Sequence, residues 1–457
     1  MSGVTRFDDS LPALVAVIVS ELGGDVVEEG AVLRDAFGRL AFFTSRKLSE
    51  AAIERLTRNL LAALGGYARA DRPVADSDDF STASVLEDPS ALRVMVGPHR
   101  VRFVDRRLVG VDWLRAPAPP APPPPRFVFA SIKGGVGRST ALAVVATHLT
   151  SRGKRVLAVD LDLEAPGLAW TLLAEDTFPP FGILDALVEN NISGLDAAFM
   201  ADLIGPSALA HKGGRLDVIP AFGRSSIEHP ADVLAKLARA YAEDIRPDGS
   251  IATILDQVRT IIDGYADPTR YDAILIDARA GLHETSASAI LGLGAEVFLF
   301  GLDEPQTFRG YAVLLAHLSR FLSGEERPEW TERLTMVQGK APVDVEQRQA
   351  FVERCRVLFE EAGFAPPAVQ QVDAAPVPLP GGPSFKDVPW SEDVSDEELF
   401  AADWSIREPV AVLDDARFQR FDPMRRWDLL SESVYLVAFQ QLIERIESSL
   451  GVDEEGT

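Results

Sequence analysis

The sequence predicts an α/β chain. Its larger part is a mostly parallel sheet covered by helices on both faces, and a small α/β domain precedes it. Three observations carry this. From Phe127 onward, short continuous apolar runs alternate with helix-length segments, the pattern of buried parallel strands joined by crossover helices. A run of alanine and proline, Ala116 to Pro125 (APAPPAPPPP), divides the chain. The 457 residues are 47% hydrophobic and 25% charged, ordinary globular composition with enough apolar material for more than one core.

In residues 1–115, Leu11 to Leu22 has helical periodicity. Arg39 to Thr44 reads as a strand and Ser49 to Gly65 as an amphipathic helix. Leu92 to Val96, Val101 to Val104 and Leu108 to Trp113 read as strands joined by tight turns. No catalytic constellation stands in this part. Consecutive prolines lack N–H donors and fix φ, so residues 116–125 are expected to form a polyproline II spacer, on the order of 30 Å long. A ligand for a proline-binding module is the alternative use of such a run.

The second domain is expected over residues 126–452. Phe127 to Ile132 is a β-rich apolar strand followed by glycines, and Arg138 to Arg152 is helical. Further strands are Arg155 to Asp160, Asp272 to Asp277, Ala295 to Phe300 and Leu334 to Gln338. Ala365 to Pro389 is proline-rich and irregular, and Trp427 to Leu450 closes the chain as an amphipathic helix.

Lysine plus arginine total 45 and aspartate plus glutamate 69, a formal net charge of −24. Such a field repels nucleic-acid phosphates and anionic lipid, and no long lysine or arginine run overrides it. The apolar stretch Leu11 to Val19 is too short to span a bilayer, and Asp8 and Asp9 stand where a leader peptide carries positive charge. The single Cys355 cannot form an internal disulfide. The six histidines show no zinc-type spacing. These features predict a cytoplasmic protein.

The informative segment is Ile132 to Thr140, IKGGVGRST, between a strand and a helix. A glycine-rich turn there lets backbone N–H groups converge on a phosphate at a helix N-terminus. Against the general pattern G-x-x-x-x-G-K-[ST], Ile132 replaces the first glycine and Arg138 the lysine, while Gly137 and Ser139 are in place.

Lys133 to Thr140 resembles the deviant Walker A motif of the ParA/MinD family of P-loop ATPases, with its lysine just before the double glycine. Arg155 to Leu168 (RVLAVDLDLEAPGL) is similar to that family's second strand and switch I. Tyr271 to Gly281 (YDAILIDARAG) is similar to its Walker B strand and switch II. The resemblance implies ATP and Mg²⁺ as cofactors. It implies that Lys133 contacts phosphate across a dimer interface and that Gly134, Gly135, Val136 and Gly137 wrap the phosphates. Ser139 would ligate Mg²⁺ and Thr140 would bond the α-phosphate. Asp162 would position or activate the attacking water, Asp277 would hold Mg²⁺ through a water, and Asp160 would support the metal shell.

Two residues depart from the family pattern. Arg138 keeps the lysine's charge but is a broad planar fork. It is compatible either with slow hydrolysis or with nucleotide binding alone. Arg279 stands where the family often has proline; it could sense the γ-phosphate as an arginine finger does, or form a surface salt bridge. Gln338 is a candidate for bonding a base edge, and Asp303 and Glu304 are candidate ligand or helix-start charges.

ParA-type proteins bind DNA through basic patches and MinD-type proteins end in a basic membrane helix. This chain has neither, ending in the acidic LIERIESSLGVDEEGT. The resemblance therefore implies a switch that dimerises with ATP and engages a protein partner through its first domain, without nucleic acid or membrane. The alternative is a catalytically silent nucleotide-binding scaffold or regulator in a bacterial signalling or defence module.

Overall fold

The computed structural model describes residues 5–210, 213–245, 251–322, 328–364 and 407–451. The segment Ala365 to Pro389 lies outside the described residues. The chain divides into two compact units. One comprises Met1–Pro117 with Ala242–Gln257 and Arg320–Ser323, and the other comprises the remainder.

The first unit holds a five-stranded sheet in the spatial order Val74–Ala75, Leu40–Phe43, Ala31–Arg34, His99–Asp105, Leu92–Val96. Helices Phe7–Leu22 and Glu50–Leu64 bury Leu14, Ile18, Leu56 and Leu60 with Phe42, Val101 and Phe103. The Ser49 side chain accepts the Ala52 N–H and so sets the start of the second helix. The expected strand Leu108 to Trp113 does not form. Leu108 and Val109 are exposed, Gly110 has φ 80°, and Asp112–Leu114 is a single 3-10 turn. Apolar character without a pairing neighbour does not make a strand. The strand Ala31–Arg34, central to this sheet, had no reading in the sequence.

The second unit is built on eight strands. Their spatial order is Arg407–Leu413, Leu334–Ala341, Glu296–Gly301, Arg126–Ser131, Ala273–Ala280, Arg155–Asp160, Arg215–Ile219 and Gly205–Pro206. Every neighbouring pair is parallel except the last. Phe127, Phe129, Val156, Ala158, Leu275, Phe298 and Phe300 point to one face. There they pack with Leu142, Val145 and Leu149 of the helix Arg138–Ser151 and with Phe439, Leu442 and Ile446 of the helix Glu432–Ser449. The alternate residues Val128, Leu157, Val159, Ile274, Ile276 and Leu299 are equally buried, so both faces are covered, as the continuous apolar runs require. The final helix begins later than expected because Trp427–Leu430 forms a 3-10 turn.

The proline-rich run is not a free spacer. The Ala118 N–H donates to the Leu291 carbonyl at 2.7 Å and the Ala121 N–H to the Gly294 carbonyl at 2.9 Å. Arg333 donates to the Ala118 carbonyl. The alanines between the prolines keep the donors that pure polyproline lacks. A Cβ on Gly294 would stand 2.3 Å from the Pro119 carbonyl, so only glycine admits the run this closely. Among the described residues no helix is long and apolar enough to cross a membrane.

Candidate nucleotide-binding site

The turn from Ile132 to Gly137 joins the strand Arg126–Ser131 to the 14-residue helix Arg138–Ser151 at the carboxyl edge of the sheet. Gly135 and Gly137 have φ 77° and 92°, conformations that side chains strain to adopt. A Cβ at Gly134, Gly135 or Gly137 would meet no atom within 4 Å, so this rim faces open space. Val136 is buried and anchors the loop. Its carbonyl lies against Gly339, where a Cβ would come within 2.2 Å. Ser139 and Thr140 are half-buried in the first helical turn. A helix N-terminus and bare glycines that face open space are the elements from which an anion cradle is built.

Arg138 is 8% exposed, and its guanidinium turns inward. Nε donates to Asp277 Oδ1 at 2.5 Å, Nη1 to Ser131 Oγ at 3.1 Å and Nη2 to Asp162 Oδ2 at 3.2 Å. Burial alone would push this guanidinium down, but Asp277 and Asp162 together hold it above its ordinary range. The structure thus brings together three residues picked from the sequence, as one ion cluster.

Asp160 is fully buried, and its oxygens accept the backbone N–H groups of Asp162, Gly167 and Leu168 at 3.0, 3.2 and 3.1 Å. It fastens the segment Leu161 to Leu168 that follows its strand. Asp162 Oδ1 accepts the Ala165 N–H in the same segment. Of the expected divalent-ion set Ser139, Asp160 and Asp277, the two carboxylates are thus engaged within the chain, while Ser139 is half-buried in the first helical turn. Asp277 Oδ1 and Asp162 Oδ2 are taken by Arg138, and Asp160 is taken by the backbone. Among the described residues no three His, Cys, Asp or Glu side chains are grouped to hold a metal ion.

Burial, with the Asp277 charge next, pushes the Asp160 carboxyl up to about 7. Burial also raises Asp162, against the pull of Arg138. A folded carboxyl above its unfolded value binds a proton that the unfolded chain has released. Its contribution to stability therefore falls as pH rises from about 4 to about 7. Urea unfolding across this window should show that decline, and Asp160→Asn should flatten the slope whatever its own stability. An unchanged slope in the variant would refute the assignment.

Lys133 Nζ lies 3.0 Å from Glu304, with both side chains more than a third exposed. Asp303 pairs with Arg354 instead. Arg279 does not join the cluster; its Nη1 donates to Glu164 at 2.8 Å, the salt-bridge reading of this residue. Glu164, which the sequence reading did not single out although it lies in DLDLEAPGL, also accepts from the Tyr241 hydroxyl. The His283 ring stands 3.7 Å from it. Burial and then Arg279 push His283 below its usual range.

Gln338 is not available to a base. It is 2% exposed and lines a separate cleft with Arg348, Phe351 and Gln441. The cleft that does border the loop is lined by Thr140, Lys340, Leu413, Asp414 and Phe418 with Val136 and Gly137. Its outer wall comes from the strand Arg407–Leu413, which the sequence reading did not find.

A glycine turn at the carboxyl edge of a mostly parallel sheet, with Asp277 on the adjacent strand, defines a P-loop NTPase fold. Residues 127–292 match the family described as the CobQ/CobB/MinD/ParA nucleotide binding domain. The match takes in the glycine loop, the segment Leu161 to Leu168 and Asp277.

Among solved structures, the chain is similar to a plasmid partition protein from Borrelia burgdorferi B31 bound to AMPPNP. The two share 15% identity over 71% of this chain and 99% of that one, with a TM-score of 0.41. The cell division ATPase MinD of Pyrococcus furiosus shares 20% identity over 71% and 99%, with a TM-score of 0.39. A Cyanothece McdA–ATP complex shares 14% over 73% and 98%, with a TM-score of 0.42. Comparison with curated proteins gives no match.

Proposed function

We propose that this protein is a nucleotide-dependent switch. It binds ATP in the loop Lys133 to Thr140, dimerises with nucleotide and engages a protein partner through its first unit. The observation that carries the reading is the open glycine rim ahead of the helix Arg138–Ser151. Gly134, Gly135, Val136 and Gly137 offer backbone donors to the phosphates. Ser139 and Thr140 add hydroxyls in the first turn. Lys133 is held by an exposed ion pair with Glu304, worth about 0–1 kcal/mol, so a phosphate across a dimer interface can claim it. The net charge of −24 favours a protein partner in the cytoplasm over a nucleic acid or a membrane surface.

Light scattering on size-exclusion peaks tests this. The full chain should be a dimer with a non-hydrolysable ATP analogue, and a smaller species without nucleotide or with ADP. Lys133→Ala should abolish the shift without lowering the melting temperature. A mass that ignores nucleotide would refute the switch.

The second reading is a catalytically silent nucleotide-binding scaffold or regulator. It is favoured by the tie between Arg138 and Asp162, which engages one oxygen of the residue expected to position the water. Single-turnover assays separate the two readings. Slow turnover in the wild type supports the switch. Turnover seen only in Arg138→Lys supports the scaffold.

A further inference from the structure

We propose that Arg138 is the resident cation of this site, so that nucleotide uptake does not depend on a divalent metal. The inference rests on the nucleotide-binding reading above. Its starting point is geometric. A single buried guanidinium spans Asp277 Oδ1 and Asp162 Oδ2, and Ser131 Oγ accepts its third bond. The side chains of Asp277 and Asp162 are 2% and 11% exposed, and that of Arg138 is 9% exposed. Two carboxylates this deep in a protein require a cation to compensate them. Here the arginine supplies it from within the chain.

The planar fork suits the task. One guanidinium presents donors along two edges and satisfies two carboxylates at once, whereas an ammonium is a point charge with less reach. Arg138 is also the first residue of the helix whose N-terminus faces the loop. The guanidinium belongs to the residue that directly follows the glycine turn of residues 134–137 and is turned inward onto Asp277, Ser131 and Asp162. A metal entering the cluster would have to displace a guanidinium from three partners.

Calorimetric titration of the full chain with ATP, in magnesium and then in excess EDTA, tests the proposal. For wild type the dissociation constant should change by less than about threefold between the two buffers. For Arg138→Lys, which frees the carboxylates for a metal, magnesium should tighten binding by about tenfold or more. Binding by the wild type that weakens about tenfold or more in EDTA overturns the proposal and leaves the nucleotide reading intact. No binding in either buffer overturns both. If Arg138→Lys fails to fold, the wild-type comparison alone still decides. A second wild-type measurement is Mn²⁺ binding followed by electron paramagnetic resonance. The proposal expects free Mn²⁺ to persist when protein is added without nucleotide, and uptake into the apo site would overturn it.

Discussion

Replacing Arg138 with alanine should lower the unfolding free energy by about 3–5 kcal/mol, among the largest losses available to a single substitution in this chain. The side chain compensates two buried carboxylates and bonds a buried hydroxyl. Its removal leaves Asp277 and Asp162 charged, desolvated and side by side, with the buried Asp160 as a third acid beside Asp277. The penalty is the unpaired charge rather than the lost attraction, since a buried pair taken whole is often close to neutral. That distinction is measurable. Arg138→Ala combined with Asp277→Asn should recover a substantial part of the loss, giving strong non-additivity between contacting sites. Urea denaturation of wild type, both single variants and the double variant supplies the cycle. A loss below about 1 kcal/mol in Arg138→Ala would place the arginine with ordinary surface ion pairs and defeat the description of the cluster.

The sheet of the second unit was legible because its strands are buried on both faces and therefore read as unbroken apolar runs. Arg155 to Asp160 falls on an observed strand end to end, and Phe127 to Ile132 is displaced by one residue. The strands that escaped notice lack that signature. Gly205–Pro206 is two residues long, Arg215–Ile219 is broken by Asp217, and Arg407–Leu413 begins with two charged residues and a proline. In the first unit, Ala31–Arg34 is only four residues long and takes its identity from pairing with the hairpin neighbour Leu40–Phe43 and the distant strand His99–Asp105. The glycine loop was legible because φ above zero and bare Cα positions demand glycine. The orientation of Arg138 was not. Its partners lie 24 and 139 residues away, and nothing local reports which way a long side chain turns. The proline run misled for the opposite reason. Its composition predicts stiffness, and it is the two alanine N–H groups that fix where it lies.

Gly134→Ala should leave the fold intact and weaken ATP binding by about a hundredfold. The two halves of this expectation rest on separate observations. Gly134 does not have a positive φ, and a methyl group there meets no protein atom within 4 Å, so the unfolding midpoint should not move. That open space is where a phosphate must approach the backbone. Hydrogen bonds to a charged group contribute about 1.5–3 kcal/mol each. Holding the phosphate off by a methyl group costs two of them, about 3 kcal/mol or about a hundredfold in the dissociation constant. Gly137→Ala is the informative contrast. Its φ of 92° forces an L side chain into a disfavoured region, at a cost of about 1–2 kcal/mol, so that variant should lose both stability and affinity. Paired calorimetry and thermal melts on the two variants check the distinction. If Gly134→Ala bound ATP as tightly as the wild type, the open rim of the loop would not be the phosphate site, and the functional reading built on it would have to move elsewhere on the sheet edge.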